Sequence, residues 1–280
     1  MSATRVAVTV VACTALVVWS AGAEAQTGNR FNTAKQKLES GQSIVGGTVS
    51  TPDPEIYCAM ANAGYDFLWI EMQHSPLTFQ DAARMIWACR DAPAIPFIRV
   101  PDATEGDIQK ATDIGALGII VPMVASAAKM EAAVQFAKYP PIGVRSQGGG
   151  QYRALWGDGY RAGANDNIMI IAMIESPAGV AVADEIAAVP GVDVVFAAST
   201  DLSSFSGLKQ GDPEYEAMVV KIRDATLASG AKLGGPLAWK NRADFGFFQG
   251  PSASALIRLG AQASMEAMSG VAPTEGAGPR

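Results

Sequence analysis

The chain has 280 residues, a formal net charge of −6 and a single histidine. Its 21 basic residues are scattered and form no stripe, so a surface that binds nucleic acid or another polyanion is not predicted. One imidazole group cannot build a metal site of several histidines, so that class of site is excluded.

The first 25 residues have the pattern of an export signal. Arg5 precedes an uncharged stretch from Val6 to Trp19, and Ala23-Glu24-Ala25 has the small-x-small form of a signal-peptidase site. The stretch is shorter than the roughly 20 residues of a bilayer span, which argues against a single-span anchor. Cys13 has no lipobox around it, which argues against a lipoprotein. We expect cleavage after Ala25, a periplasmic or secreted protein, and no membrane association after cleavage.

Cys58 and Cys89 remain after cleavage, and each lies in a predicted helix. An exported protein can oxidise such a pair to a disulfide. Buried cysteines in helices, however, are more often small apolar side chains. The sequence favours this second interpretation, and it gives neither cysteine the paired spacing of a zinc site.

From Ser43 onward, short β-branched runs alternate with longer helical patterns. The predicted strands are Ile44–Val49, Asp66–Ile70, Pro96–Val100, Gly118–Pro122, Ile168–Ile174, Asp193–Ala197, Lys232–Gly234 and Ala253–Arg258. The helical patterns between them include Thr78–Cys89, Glu105–Ile114, Ala127–Ala137, Ala178–Ala188 and Pro213–Ser229. Apolar strands without polar alternation indicate a parallel sheet covered by helices.

Eight such repeats in roughly 250 residues favour a closed (β/α)8 TIM barrel over an open doubly wound sheet. No glycine-rich dinucleotide fingerprint follows the first strand. We predict a single α/β domain over residues 26–268. The final residues, 269–280, are rich in glycine, alanine and proline and are expected to be disordered.

Polar side chains stand where four of the predicted strands end. Each has a simple structural explanation, such as a helix cap or an ion pair. In a parallel barrel, however, the carboxyl ends of the strands meet on one face, and this is the face that carries active sites. The residues brought together on this face would be Glu71, Gln73, His74, Arg99, Glu175 and Asp201.

The composition of this set indicates enolate chemistry on a 2-oxo acid. The Glu175 and Asp201 carboxylates suit a hard cation such as Mg²⁺ or Mn²⁺. The guanidinium of Arg99 offers a planar fork for a carboxylate. The imidazole of His74 is a side chain suited to moving a proton. A cation that polarises a carbonyl, a carboxylate clamp and a base are together what enolate formation requires.

Several segments, in order, now identify a resemblance. They are AGYDFLWIEMQHSP, PFIRVP, IQKATDIGALGIIVPMV, AKYPPIGVRSQGGG, IIAMIESPAGV and GVDVVFAASTDLS. The chain resembles the HpcH/HpaI aldolase family, the metal-dependent pyruvate aldolases of the phosphoenolpyruvate/pyruvate superfamily, over Phe31 to Met268. The resemblance implies a (β/α)8 barrel, a Mg²⁺, Mn²⁺ or Co²⁺ cofactor, and a homo-oligomer, commonly a hexamer with a helix swapped between neighbours.

The resemblance also implies roles for individual residues. Glu175 and Asp201 match the two metal-binding carboxylates, and Arg99 matches the arginine that holds pyruvate. His74 matches the catalytic histidine, which is thought to act through a metal-bound water. Asp113 matches an aspartate that reaches the neighbouring subunit's site and supports that histidine.

The chain departs from the family pattern at three places. Before the histidine, Glu71-Met72-Gln73 replaces the usual Asp-Gly-Glu, and Ala198-Ser199-Thr200 replaces Gly-Pro-Ala before Asp201. Met173 replaces a glutamine that touches substrate in the family. Metal binding needs only the matched residues, so these changes bear on the substrate and on the direction of the reaction.

The loop from Arg145 to Trp156 carries glycines and aromatic residues. One interpretation is that Arg145 and Tyr152 close the site over an acceptor aldehyde. The other is a flexible lid on the barrel that makes no direct contact with the substrate.

Two functions remain open from the sequence. The first is a metal-dependent lyase that reversibly cleaves a 4-hydroxy-2-oxo acid to pyruvate and an aldehyde. In it, Arg99 and backbone N–H groups near Thr200 and Asp201 orient the oxo acid, Met173 lines the substrate wall, and His74 takes the 4-hydroxyl proton. The second is an exported protein that binds 2-oxo acids or other carboxylates on the same barrel without turnover.

Overall fold

A computed structural model describes residues 30–269 of the protein. Residues 1–25, predicted as a signal peptide, and residues 270–280 of the predicted tail lie outside the described residues. Within the described part, none of the helices has the length and apolar character needed to cross a membrane.

The described chain alternates strands and helices throughout. The strands are β1 (Ile44–Val49), β2 (Phe67–Glu71), β3 (Ile95–Arg99), β4 (Gly118–Val121), β5 (Met169–Ile174), β6 (Val194–Ala197), β7 (Lys232–Pro236) and β8 (Phe245–Ser252). The helices are α1 (Thr33–Glu39), α2 (Pro54–Ala61), α3 (Phe79–Ala88), α4 (Glu105–Asp113), α5 (Ala127–Ala137), α6 (Tyr152–Trp156), α7 (Tyr160–Asn167), α8 (Pro177–Ala181), α9 (Ala183–Ala187), α10 (Ser199–Ser206), α11 (Pro213–Ser229) and α12 (Ala253–Ser269).

The eight strands close into a barrel in chain order, and every neighbouring pair is parallel. The predicted single-domain (β/α)8 barrel is therefore confirmed. The predicted helix at 178–188 is divided into α8 and α9, because Val182 leaves the helical conformation between them.

The eighth strand was predicted in the wrong place. Residues 253–258 begin α12, and the strand is Phe245–Ser252 instead. Its sequence, FGFFQGPS, contains two glycines and a proline, which usually mark a loop. Pairing with β1 on one side and β7 on the other holds this segment in the barrel despite its weak strand propensity.

Aromatic rings fill the interior of the barrel. Phe67 stacks on Phe97 and on Phe247, with ring centroids 4.6 and 4.7 Å apart. A Cβ atom at Gly46 would lie 2.1 Å from the Phe67 ring, and one at Gly118 would lie 2.2 Å from the Phe97 ring. Glycine at these two strand positions makes the space that the rings occupy.

Cys58 in α2 and Cys89 at the end of α3 form a disulfide, with Cα atoms 5.4 Å apart. The expectation of two reduced, buried cysteines is wrong, because α2 and α3 pack side by side and bring the half-buried sulfur atoms together. The two cysteines are 31 positions apart in the chain, and the segment between them includes β2 and His74.

Replacing both cysteines by alanine should lower the free energy of unfolding by about 2–4 kcal/mol, because the unfolded chain regains the freedom of the closed loop. Thermal unfolding of wild type with and without reductant checks this. Reductant should destabilise wild type and leave the double variant unchanged; equal sensitivity of the two proteins would contradict the structural bond.

The C-terminal helix α12 leaves the barrel instead of packing along it. Its first residue, Ala253, is buried, but most later side chains are exposed, including Ile257, Leu259, Met265 and Met268 at 56–82%. Within the described residues, the helix packs mainly against β8 and β1. Several apolar side chains of α12 thus remain uncovered by the described part of this chain.

Candidate active site

A cavity of about 300 Å³ opens at the carboxyl ends of the strands. Five residues predicted from the sequence line it: His74, Arg99, Met173, Thr200 and Asp201. Five others, which the sequence reasoning did not assign to the site, complete the lining: Phe196, Ala198, Ser199, Pro236 and Gln249. Of the six polar residues expected on one rim, three thus line this cavity, whereas Glu71, Gln73 and Glu175 are not among its lining residues.

Glu175 directly follows β5 and is only 2% exposed; it is not among the residues that line the cavity, but the charges of Asp201 and Arg99, which line it, act on its carboxyl group. Its Oε2 accepts a hydrogen bond from the backbone N–H of Met123 at 3.1 Å, while its Oε1 is buried and has no hydrogen-bond partner among the described residues. Burial and the nearby charge of Asp201 raise the pKa of Glu175 to about 7. A buried carboxylate oxygen left unsatisfied beside a second carboxylate is costly unless a cation or a proton joins them.

The loop that holds Glu175 is itself constrained. Met123, just after β4, has φ +52°, an uncommon conformation for a residue other than glycine. Its neighbour Val124 donates its N–H to the Met173 carbonyl at 3.0 Å. This turn aims the Met123 N–H at Glu175 and fixes one oxygen of the carboxylate.

Asp201 is half-buried in the first turn of α10. A carboxylate is favoured at this end of a helix, where backbone N–H groups have no partner within the helix. The same turn begins directly after β6 and carries Ser199 and Thr200 at the cavity. The first turn of α10 therefore supplies the Asp201 carboxylate and adjacent backbone N–H donors to one side of the cavity.

Arg99 ends β3 and is 7% exposed. Its Nε and Nη2 both lie 2.5 Å from Oε2 of Glu71, and its Nη1 lies 3.9 Å from the sulfur of Met173. The pair Glu71 and Arg99 is thus buried and held in one orientation, and Trp69 also donates to Oε2 at 3.1 Å. The guanidinium keeps N–H bonds for a ligand carboxylate in the cavity.

The other oxygen of Glu71 holds the turn that carries His74. Oε1 accepts from the backbone N–H groups of Gln73 and His74, both at 2.9 Å, and Ser75 donates its hydroxyl to the Glu71 carbonyl. His74 itself is exposed to the cavity. Glu71 therefore positions both the arginine and the histidine, a role that the sequence showed only as a departure from the family pattern.

Asp113 does not lie at this cavity within one chain. It ends α4, which runs from the carboxyl ends of the strands toward their amino ends. Its carboxylate pairs with Arg145 Nη2 at 2.8 Å and with Gln109 at 2.7 Å. The structure of one chain therefore does not bring Asp113 to His74, and its support of a neighbouring site stays a prediction.

The loop from Arg145 to Trp156 also lies at the amino ends of the strands. It follows α5, which runs away from the cavity, and Trp156 donates to the carbonyl of Gly115, just before β4. Arg145 is buried, and it donates to Tyr160 at 2.8 Å. Neither expected lid is present over this chain's own cavity, because the segment between a helix and the next strand must lie on the opposite face.

The residues present fit a hard divalent cation. Glu175 offers an oxygen without a hydrogen-bond partner among residues 30–269, and its pKa is raised by burial and by repulsion from the Asp201 carboxylate, a cost that a bound cation would relieve. No group of three or more His, Cys, Asp or Glu side chains in residues 30–269 could hold a metal. Two carboxylates with water and substrate oxygens in the remaining positions is the usual arrangement for Mg²⁺.

The chain matches the family model described as HpcH/HpaI aldolase/citrate lyase over residues 49–241. A hydroxypyruvate/pyruvate aldolase of Pseudomonas aeruginosa is 37% identical over 72% of this chain and 78% of its own length. A 2-keto-3-deoxy-L-rhamnonate aldolase of Salmonella schwarzengrund is 33% identical over 71% and 78%.

A solved structure of a family protein from Burkholderia cenocepacia superimposes with a TM-score of 0.76 at 28% identity, covering 85% of this chain and 99% of that one. The family match spans the strands that carry Glu71, Arg99, Glu175 and Asp201. On the fold, the site and these relatives, the protein belongs to the HpcH/HpaI aldolase/citrate lyase family.

Proposed function

We propose that the protein is a divalent-metal-dependent carbon–carbon lyase, which reversibly cleaves a 4-hydroxy-2-oxo acid to pyruvate and an aldehyde. The observation that carries this proposal is the buried Glu175 carboxyl group, which feels the charge of Asp201, a residue of the cavity that Arg99 and His74 also line. Within residues 30–269, Oε1 of Glu175 has no hydrogen-bond partner. The names of the relatives, a hydroxypyruvate/pyruvate aldolase and a 2-keto-3-deoxy-L-rhamnonate aldolase, agree with this class of reaction.

The residues of the site have distinct parts in this reaction. Glu175 and Asp201 would hold Mg²⁺, Mn²⁺ or Co²⁺, which when bound supplies Lewis-acid polarisation of the 2-oxo group. Arg99, fixed by Glu71, binds the substrate carboxylate, with the N–H groups near Thr200 and Asp201 as further donors.

His74 then takes the proton of the 4-hydroxyl group. The C3–C4 bond breaks, the C4 oxygen becomes the aldehyde carbonyl, and the electron pair of the broken bond passes to the three-carbon fragment. Protonation of that fragment at C3 gives pyruvate. Met173 forms part of the apolar wall at Arg99, where it shapes the space available to the substrate.

Purified protein should release pyruvate from at least one member of a panel of 4-hydroxy-2-oxo acids with Mn²⁺ or Mg²⁺, and chelator should stop the release. Continuous detection of pyruvate measures the rate of release with metal and the loss of that release after chelator is added. Binding of oxalate to the metal-loaded protein without any pyruvate release would contradict the lyase and favour a binding protein without turnover.

We also propose a homo-oligomer, a hexamer by family resemblance, in which another subunit covers the exposed apolar face of α12. Asp113 would support a neighbour's histidine only in such an assembly. Light scattering after size-exclusion chromatography measures the mass of the assembly directly. A monomer at micromolar concentration would contradict both the proposed homo-oligomer and the proposed role of Asp113 at a neighbour's site.

The disulfide between Cys58 and Cys89 supports the proposal of a periplasmic or secreted protein, because such bonds persist in oxidising compartments. Fractionation of cells that express the full chain, with detection of the mature form, tests this location.

A further inference from the structure

Two neutral polar side chains stand on the side of the cavity mouth away from Glu175. In a closed barrel of eight strands in chain order, β1 and β8 are neighbours and lie across the barrel from β4 and β5. Gln249 on β8 lines the cavity, and Thr48 on β1 is next to it and 8% exposed. These two residues therefore stand across the mouth from Glu175, one of the residues proposed to hold the oxo acid.

Their own hydrogen bonds are long. Gln249 Nε2 lies 3.5 Å from Thr48 Oγ1, and Thr48 Oγ1 lies 3.3 Å from the carbonyl oxygen of Gly250. Good hydrogen bonds of these types are about 2.7–3.0 Å long. Gln249 Oε1 accepts no hydrogen bond from any residue that the structure describes. The pair thus keeps both donor and acceptor capacity, which is what a ligand hydroxyl group requires.

The backbone is shaped at this place. The register between β1 and β8 shifts between Gly46 and Thr48, and a Cβ atom at Gly250 would lie 2.8 Å from the Gly46 carbonyl oxygen. Irregularities of this kind at a barrel rim change the direction in which side chains point. The close approach of β1 and β8 at Gly250 therefore helps to fix the positions of the Thr48 and Gln249 side chains.

The rest of the lining narrows the chemistry of the ligand. Met173, Phe196 and Ala198 are apolar and offer no polar side-chain group to the far end of a substrate. Arg99 and His74 are the basic residues among those that line the described cavity, and the proposed reaction uses Arg99 for the oxo acid's carboxylate and His74 for proton transfer. A second anionic group on the substrate would find no further cationic side chain in that lining, whereas a hydroxyl group would find both a donor and an acceptor in the pair on β1 and β8.

We infer that Thr48 and Gln249 form a hydroxyl-binding subsite for the aldehyde fragment, so that the enzyme favours hydroxylated, uncharged aldehydes over deoxy or anionic ones. This inference rests on the proposed lyase function and adds the class of its second substrate. Gln249 and Thr48 are specificity residues in it, since neither takes part in proton transfer or metal binding.

The test is addition of pyruvate to glyceraldehyde and to propanal, two three-carbon aldehydes that differ in their hydroxyl groups. Wild type should prefer glyceraldehyde by about tenfold in kcat/KM, the effect of one or two well-formed hydrogen bonds. Gln249→Met and Thr48→Val keep the size of the side chain but remove its polar groups. Each substitution should reduce the preference for glyceraldehyde over propanal in kcat/KM from about tenfold to about threefold or less. Each aldehyde's own hydration is the same for all variants, so the change in ratio is the readout.

Gln42→Met is the matched control, since it makes the same chemical change on an exposed residue before β1, at the other end of the barrel. It should keep the wild-type ratio. Loss of discrimination in the Gln249 and Thr48 variants alone supports the subsite, and an unchanged ratio in both overturns it.

Deuterium exchange at the methyl group of pyruvate, followed by NMR, separates this result from the proposed function. Exchange needs enolate formation but no aldehyde, so it shows for each protein whether the enolate forms, independently of how the aldehyde binds. Exchange with an unchanged aldehyde ratio would overturn the subsite and leave the lyase standing. Absence of exchange in metal-loaded wild type would overturn both.

Discussion

The Glu175→Gln variant is expected to lose pyruvate release by at least about a hundredfold, because the amide removes one of two carboxylates proposed for the cation. Metal affinity, measured by calorimetry with Mn²⁺, should fall with it. Glu185→Gln in α9 is a suitable control, since it removes the same charge from an exposed helical position. Equal metal affinity in the Glu175 variant and wild type would exclude Glu175 as a ligand.

The same substitution should have the opposite effect on the stability of the metal-free protein. The pKa of Glu175 is raised from 4.5 to about 7 in the folded state, so ionisation opposes folding. The stability contributed by the protonated form is complete below pH 4.5 and is lost as the pH rises through 7. Above that pH, Glu175→Gln should be more stable than wild type by up to about 3 kcal/mol.

Denaturant unfolding with chelator, at pH 4 and at pH 8, measures this difference. The gap between variant and wild type should be small at the lower pH and large at the higher one. Added Mn²⁺ should close the gap at pH 8 by stabilising wild type alone. A variant that is less stable than wild type at both values would show that the carboxylate is satisfied in the fold.

Replacing His74 by glutamine should lower kcat for pyruvate release by about 10²–10⁴-fold, the range for loss of a positioned proton-transfer group. Metal affinity should stay within about twofold, because His74 is not among the proposed ligands. Glutamine keeps a polar side chain of similar reach but cannot accept and release a proton as an imidazole does.

His74 is the only histidine in the chain, so the loss of the single imidazole signal from the NMR spectrum verifies the variant in protein prepared without a histidine tag. Turnover of the glutamine variant at the wild-type rate would exclude His74 as the base.

The barrel could be predicted from the sequence because most of its strands are continuous apolar runs, and seven were placed within a few residues. Phe245–Ser252 was missed since its glycines and proline weaken the local pattern, while pairing on both edges, which no local window shows, compensates. The disulfide depends on the packing of α2 against α3, a contact that spacing in the chain does not reveal.

The positions of site residues that follow strands were predicted correctly. The positions of segments that follow helices were predicted less well. Glu175, Asp201, Arg99 and His74 follow strands and therefore share the rim. The placement of the Arg145 loop could have been corrected from the sequence alone, since a segment between a helix and the next strand lies on the far face. Gln249 could not have been found, because its strand was not recognised.

Glu71 has one further consequence, which follows from its two oxygens serving two different groups. Oε2 accepts hydrogen bonds from Arg99 and Oε1 accepts them from the backbone N–H groups of the turn that carries His74, so one carboxylate joins the guanidinium to the main chain of the histidine. The positions of the proposed substrate anchor and of the proposed base thus depend on the same side chain. Energies of substitutions at Arg99 and His74 should therefore not add, and a Glu71→Gln background should restore their independence.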